Sequence, residues 1–155
     1  MDKKLGLRLE INFIGNKSKK IDHALVYINV DDEDDWKLLD QNMIGSYKNT
    51  LIKINDLDTQ KISYIFLKNT NFVLKDNLLK ITSSSELNIY SKTKQRKEKI
   101  KSTIKNLNEK IGYYHSLNEI GLDLSEYLEL VKLEEQVWRL KMEEILHLKK
   151  GENNE

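Results

Sequence analysis

The hydrophobic period of this chain changes near residue 92, and that change limits the fold more than any other feature. From Leu5 to Phe13 the odd positions Leu5, Leu7, Leu9, Ile11 and Phe13 are apolar, while Gly6, Arg8, Glu10 and Asn12 are not. A period of two is that of a half-buried strand. Residues 15–20 (GNKSKK) form a polar turn, and residues 23–30 (HALVYINV) a second strand rich in β-branched and aromatic residues. The runs TLIKI, KISYIFL, FVL, LLKI and LNIY follow, separated by NDLDTQ, KNTN, KDN and TSSSE. Each separator is rich in turn-forming residues. Short strands at such close intervals predict a mostly antiparallel sheet, curled into a sandwich or small barrel.

Beyond residue 92 the turns thin out. Ile100, Ile104, Leu107, Ile111 and Tyr114 recur at spacings of four and three, the narrow seam of a coiled-coil-like helix over 93–119. Gly121 is then placed to cap that helix, and Asp123 or Ser125 to start a second one over 124–149. The expected organisation is α+β: a β-rich platform over 1–92, an antiparallel helical hairpin over 93–150, and a disordered tail over 151–155.

Five consecutive acids, Asp31 to Asp35, end the second strand. Trp36, Leu39 and Met43 recur behind them at helical spacing, which predicts a short helix with Asp31 or Asp32 as its N-cap. A solvated, partner-facing acidic patch and a metal site are the competing readings. A calcium loop starting at Asp31 would need a glycine and a glutamate where Trp36 and Asn42 stand. Five neighbouring carboxylates also fan out instead of converging.

The predicted second helix is apolar on two sides. Leu124, Leu128, Val131, Trp138, Met142 and Ile145 make one face, and Leu130, Leu133, Val137, Leu140 and Leu148 another. One face is expected to meet the first helix, and the other either the β domain or another chain. Leu130, Leu133, Val137 and Leu140 are the candidate partner-binding residues. Residues 91–105 carry seven basic residues against one acid. Lys92, Lys94, Arg96, Lys97, Lys99 and Lys101 are therefore candidate contacts for an anionic protein or a nucleic acid, although such faces are most often simply solvated. Cations in a first helical turn oppose the dipole, so helix stability does not explain them. Lysine in preference to arginine argues against base readout.

Cysteine is absent, which removes disulfides, thiol catalysis and cysteine-ligated zinc. His23, His115 and His147 lie in separate elements without metal-ligand spacing, and no phosphate loop, nucleophile elbow or dinucleotide fingerprint occurs. No catalytic residue, cofactor, metal or small-molecule substrate is implied. With a formal charge of +1 and no apolar block of membrane-spanning length, the chain is expected to be soluble and cytoplasmic. The function expected is that of a non-enzymatic protein-binding adaptor, self-associating or capturing a foreign protein. A phage or mobile-element protein that inhibits or recruits a host factor would suit this composition. The alternative is a nucleic-acid-binding accessory protein that uses residues 92–105.

Overall fold

The computed structural model describes residues 6–94 and 99–151. In chain order the elements are β1 (Leu7–Asn12), β2 (Ser18–Asn29), β3 (Trp36–Leu38), β4 (Met43–Asp56), β5 (Lys61–Lys75), β6 (Leu78–Thr82) and β7 (Tyr90–Lys92). Helices α1 (Lys99–Asn118) and α2 (Leu124–Leu146) follow, and then β8 (Leu148–Lys150). The class is α+β, a β barrel followed by a helical hairpin. The chain divides into two compact units, one up to Ser91 and again from Lys150, the other Lys92–Lys149. Each unit is fastened where the chain crosses between them. Thr93 N–H donates to the His147 carbonyl in the helical unit, and Gly151 N–H to the Ile89 carbonyl in the β unit, each at 2.7 Å. Gly151 is thus held in the β unit and is not part of a tail; residues 152–155 of the expected tail lie outside the described residues.

In the β unit the pairing closes on itself. β1 pairs β2, β2 pairs β4, β4 pairs β5, β5 pairs β6, and β6 returns to β1. Five strands in a ring cannot alternate in direction all the way round, so one neighbouring pair must be parallel. That pair is β1–β6, in register from Arg8↔Leu78 to Asn12↔Thr82. Side chains of alternate residues fill the interior: Leu7, Leu9 and Ile11; Ala24, Val26 and Ile28; Ile52 and Ile54; Ile65 and Leu67; Phe72 and Leu74; Leu79 and Ile81. Burial of each large member contributes about 1.5–3 kcal/mol.

The KNTN separator does not break the strand that contains it. β5 continues through it, with Asn69 in the left-handed region at φ 48°. The β4–β5 pairing passes from Tyr47↔Thr70 to Asn49↔Lys68, leaving out Lys48 and Asn69 together without a change of register, so the left-handed Asn69 is a local irregularity that reads in sequence as a turn.

Gly6 is required by space. A β-carbon there would lie 2.8 Å from the backbone nitrogen of Ala24 and 2.8 Å from Leu57 Cδ1, beside the register shift between Leu7 and Leu9. Leu57 can rotate away, but the backbone cannot. Gly6→Val is expected to cost about 1–3 kcal/mol, read as a lowered denaturant midpoint.

The acidic run is a loop, and the expected short helix is replaced by a hairpin. Asp31 and Asp32 both have left-handed backbones, at φ 55° and 54°, and Glu33 N–H donates to the Val30 carbonyl at 3.3 Å. Two successive left-handed residues make the turn whose twist matches paired strands. β2 and β3 then pair from Tyr27↔Leu38 to Asn29↔Trp36. Asn29 Nδ2 donates to the Glu33 carbonyl at 2.6 Å, and the Trp36 indole N–H donates to Asp34 at 2.9 Å. The helical spacing of Trp36 and Leu39 was overridden by pairing. Asp31→Gly is expected to stabilise by about 0.5 kcal/mol, because it relieves a left-handed L-residue. At a helix N-cap, where the sequence pattern places this residue, the same change would instead cost about 0.3 kcal/mol, so the sign of the shift in a thermal melt separates the two geometries.

In the helical unit α1 ends with Ile120 and Gly121 N–H groups donating to the Leu117 carbonyl, Gly121 being at φ +111°. α2 starts with a capping box: Asp123 accepts from Glu126 N–H at 2.8 Å, and Glu126 accepts from Asp123 N–H at 3.3 Å. The Glu126 N–H, above all, holds the Asp123 carboxyl below its ordinary pKa. Both helices are shorter than their sequence patterns suggest. Lys92 is in β7 and Thr93 bonds to His147 outside any helix, so α1 does not begin at 93. α2 stops at Leu146, where His147 turns left-handed at φ 54° and donates to Glu143 and Glu144 carbonyls. Leu148 is then a buried strand residue, and Lys149 and Lys150 belong to β8. Among the described residues no helix is long and apolar enough to cross a membrane.

Candidate functional site

The two helices of the hairpin are aligned by cross-helix pairs, Lys101 with Glu144 at 3.9 Å and His115 with Glu134 at 3.7 Å. Ile100 of the α1 seam is buried, and Ile104, Leu107, Ile111 and Tyr114 are half-buried. On α2, Leu130, Leu133, Val137 and Leu140 lie on one stripe, and Glu144, which meets Lys101, continues it. Leu130, Leu133 and Val137 are buried and Leu140 is half-buried within this single chain. These four candidate partner-binding residues are therefore used by the fold itself. The physical reason is economy of helix surface: a hairpin needs one stripe of each helix for its own seam.

Exposed apolar surface gathers instead at the turn end of the hairpin. Ile120 is 86% exposed, Leu124 73%, Leu128 56% and Tyr127 51%, and Tyr113 is exposed on α1. Positions 124, 127, 128 and half-buried 131 follow helical spacing on α2, and Ile120 lies in the turn that precedes it. Leu124, Leu128 and Val131 stood on an apolar face legible in the sequence, but nothing in the residue pattern says that this face is exposed at Leu124 and Leu128 and buried again at Met142. Around this stripe acids outnumber the one nearby cation of α2, Lys132. Residues 116–131 contain Glu119, Asp123, Glu126 and Glu129 and no basic residue. Asp123 and Glu126 are accounted for by the capping box. Glu119 is not: it stands just past the C-terminus of α1, where the helix dipole disfavours an anion by about 0.3–1 kcal/mol.

The opposite end of the hairpin is basic. Lys92 and Lys94 are exposed ahead of α1, and Lys99 and Lys101 are exposed in its first turn, which contains no acid. Arg96 and Lys97 lie outside the described residues.

The β unit offers less. His23 and Asp58 meet at 3.1 Å, but both are well exposed. Tyr27 and Trp36 flank the Lys53 ammonium, at 4.6 and 5.0 Å from their ring centres, and Trp36 packs 5.7 Å from Tyr64. Burial, and after it the Asp34 charge, holds the Tyr64 phenol above its ordinary pKa. This cluster joins β2, β3, β4 and β5 side by side. A half-open cleft of about 220 Å³ is lined by Leu7, Ala24, Leu25, Leu38, Leu39, Asp40 and Asn77. Among the described residues no three His, Asp or Glu side chains are grouped to hold a metal ion.

Both units have relatives. A family described as "UU051 N-terminal domain" matches residues 8–88, and one described as "Uncharacterised protein UU051 C-terminal domain" matches residues 101–151. The chain is 31% identical over 145 residues to "Uncharacterized protein UU051" of Ureaplasma parvum serovar 3, covering 90% of this chain and 85% of that protein.

Proposed function

We propose that this chain, which belongs to the UU051 family through both of its units, is a protein-binding module whose partner seats on the turn end of the helical hairpin. The observation that carries this reading is the exposed stripe Ile120, Leu124, Tyr127 and Leu128. Covering such a side chain is worth about 1.5–3 kcal/mol, so a surface that leaves four of them in water at one place has binding energy in reserve. Tyr127, its one aromatic residue, is of a type that dominates interface energetics. The barrel serves as the platform that presents the hairpin, and the cytoplasm is the compartment proposed with it.

A photo-crosslinking amino acid in place of Tyr127 tests the reading in the native cell. It is expected to join the chain to a discrete protein, and Leu124→Ser/Leu128→Ser should reduce that adduct at least tenfold while leaving the melting midpoint within about 2 °C. An adduct that persists in the double variant would remove the turn end as the site.

Exposed Lys99 and Lys101, in a first turn without acids, favour a second reading, phosphate binding. In that case Lys99→Gln/Lys101→Gln should lower the slope of log affinity against log salt by about 0.9 per lost duplex contact. The protein-binding reading expects the unaltered chain to hold DNA and RNA no tighter than about micromolar at physiological salt.

A further inference from the structure

We infer that the partner surface is an apolar socket edged by lysine or arginine, and that it is not a second copy of this hairpin end. The inference rests on the protein-binding reading and adds the partner's chemistry to it. Its ground is the pairing of two features in one place, the exposed apolar residues from Ile120 to Leu128 and the four acids that interleave them, against which Lys132 is the one nearby cation on α2. An apolar centre with a charged rim selects its partner by the sign of the opposing rim. Glu119 sharpens the point, because local helix stability opposes it and an opposing cation would account for it.

The same charges exclude other occupants. Two copies meeting turn end to turn end would bring four acids against four, so like-charge repulsion would oppose the apolar gain. A leaflet of anionic lipid is repelled for the same reason. Nucleic acid is repelled here too, so the basic end and the turn end suit different kinds of contact.

The test uses the full chain and two synthetic amphipathic helices with the same leucine face, one rimmed by lysine and one by glutamate. Fluorescence anisotropy is expected to give at least tenfold tighter binding of the lysine-rimmed peptide. That affinity should fall at least threefold in Glu119→Gln/Glu129→Gln and at least tenfold in Leu124→Ser/Leu128→Ser. Equal affinity for both peptides, lost in the leucine variant, would overturn the inference and leave the protein-binding reading standing. Binding of the lysine-rimmed peptide that survives the leucine variant is charge attraction alone and overturns both. Sedimentation of the chain as a dimer that the leucine substitutions dissolve, or co-sedimentation with vesicles of phosphatidylserine and phosphatidylcholine, would also overturn the inference.

Discussion

Leu133→Glu is expected to unfold the helical hairpin, with loss of the ellipticity at 222 nm at temperatures where the unaltered chain is fully helical. Leu133 is 4% exposed on the stripe that runs through Leu130 and Val137 to Glu144. Truncating such a leucine to alanine already costs about 2–5 kcal/mol. A glutamate in its place must in addition surrender its hydration or pull the helix out of its seam. Leu128→Glu is the companion measurement, because it makes the same chemical change five residues away on surface that is 56% exposed. It should shift stability by less than about 0.5 kcal/mol, and Lys132, one turn on, is placed to pair with the new carboxylate. The contrast identifies the covered face. If Leu128→Glu unfolded the unit and Leu133→Glu did not, the two stripes of α2 would be exchanged and the turn end would lose its claim to be a docking surface.

The same contrast shows where residue patterns inform and where they stop. Helical periodicity located both apolar faces of α2, because spacing is a property of one helix. Which face is covered depends on elements that the spacing does not contain: Leu130, Leu133 and Val137 are buried within this chain, and on the other face Met142 is buried while Leu124 and Leu128 are exposed. The strand interiors were legible for a related reason. Leu7, Leu9 and Ile11 alternate strictly, and alternation fixes which side of a strand is wet. The closure of the ring through a parallel β1–β6 pair was not legible, since partners of strands far apart in sequence leave no mark on either one.

The KDN turn was read correctly, whereas KNTN, just as closely flanked by strand runs, lies inside β5. Asp76 and Asn77 both take left-handed backbones between paired Lys75 and Leu78, in the KDN separator. Asp31 and Asp32 do the same, yet the longer acidic run and the spacing of Trp36, Leu39 and Met43 suggested a helix instead. Aspartate is suited to a helix start and to the left-handed region alike, so residue type alone does not decide between them. The deciding contact is the pairing of Tyr27 with Leu38 and Asn29 with Trp36. Likewise Leu148 continues the apolar pattern of α2, but the left-handed His147 breaks the helix and sends the chain into β8.

Phe72→Ala is expected to have the largest effect of any single truncation in the barrel, about 3–5 kcal/mol. Phe72 is fully buried, lies opposite Gly45 on β4 and Ile81 on β6, and meets the Tyr47 ring edge-on at 5.3 Å. Gly45 brings no side chain of its own to that pair, so removal of the phenyl ring leaves a void that its cross-strand partner cannot fill. A small domain has only about 5–15 kcal/mol in total, so the variant should stand near the edge of folding at 37 °C. Phe72→Leu, which keeps most of the volume, should recover more than half of the loss. Val73 is the next residue on the same strand, points to the other side and is 41% exposed. Val73→Ala should cost less than about 1 kcal/mol, since little of its surface leaves water on folding. The measurement is the denaturant midpoint of each variant at unchanged slope, which reports stability without a change in the surface exposed on unfolding. Equal losses at 72 and 73 would mean that β5 does not present alternate faces to the barrel interior and to solvent, and the ring of five strands would have to be redrawn.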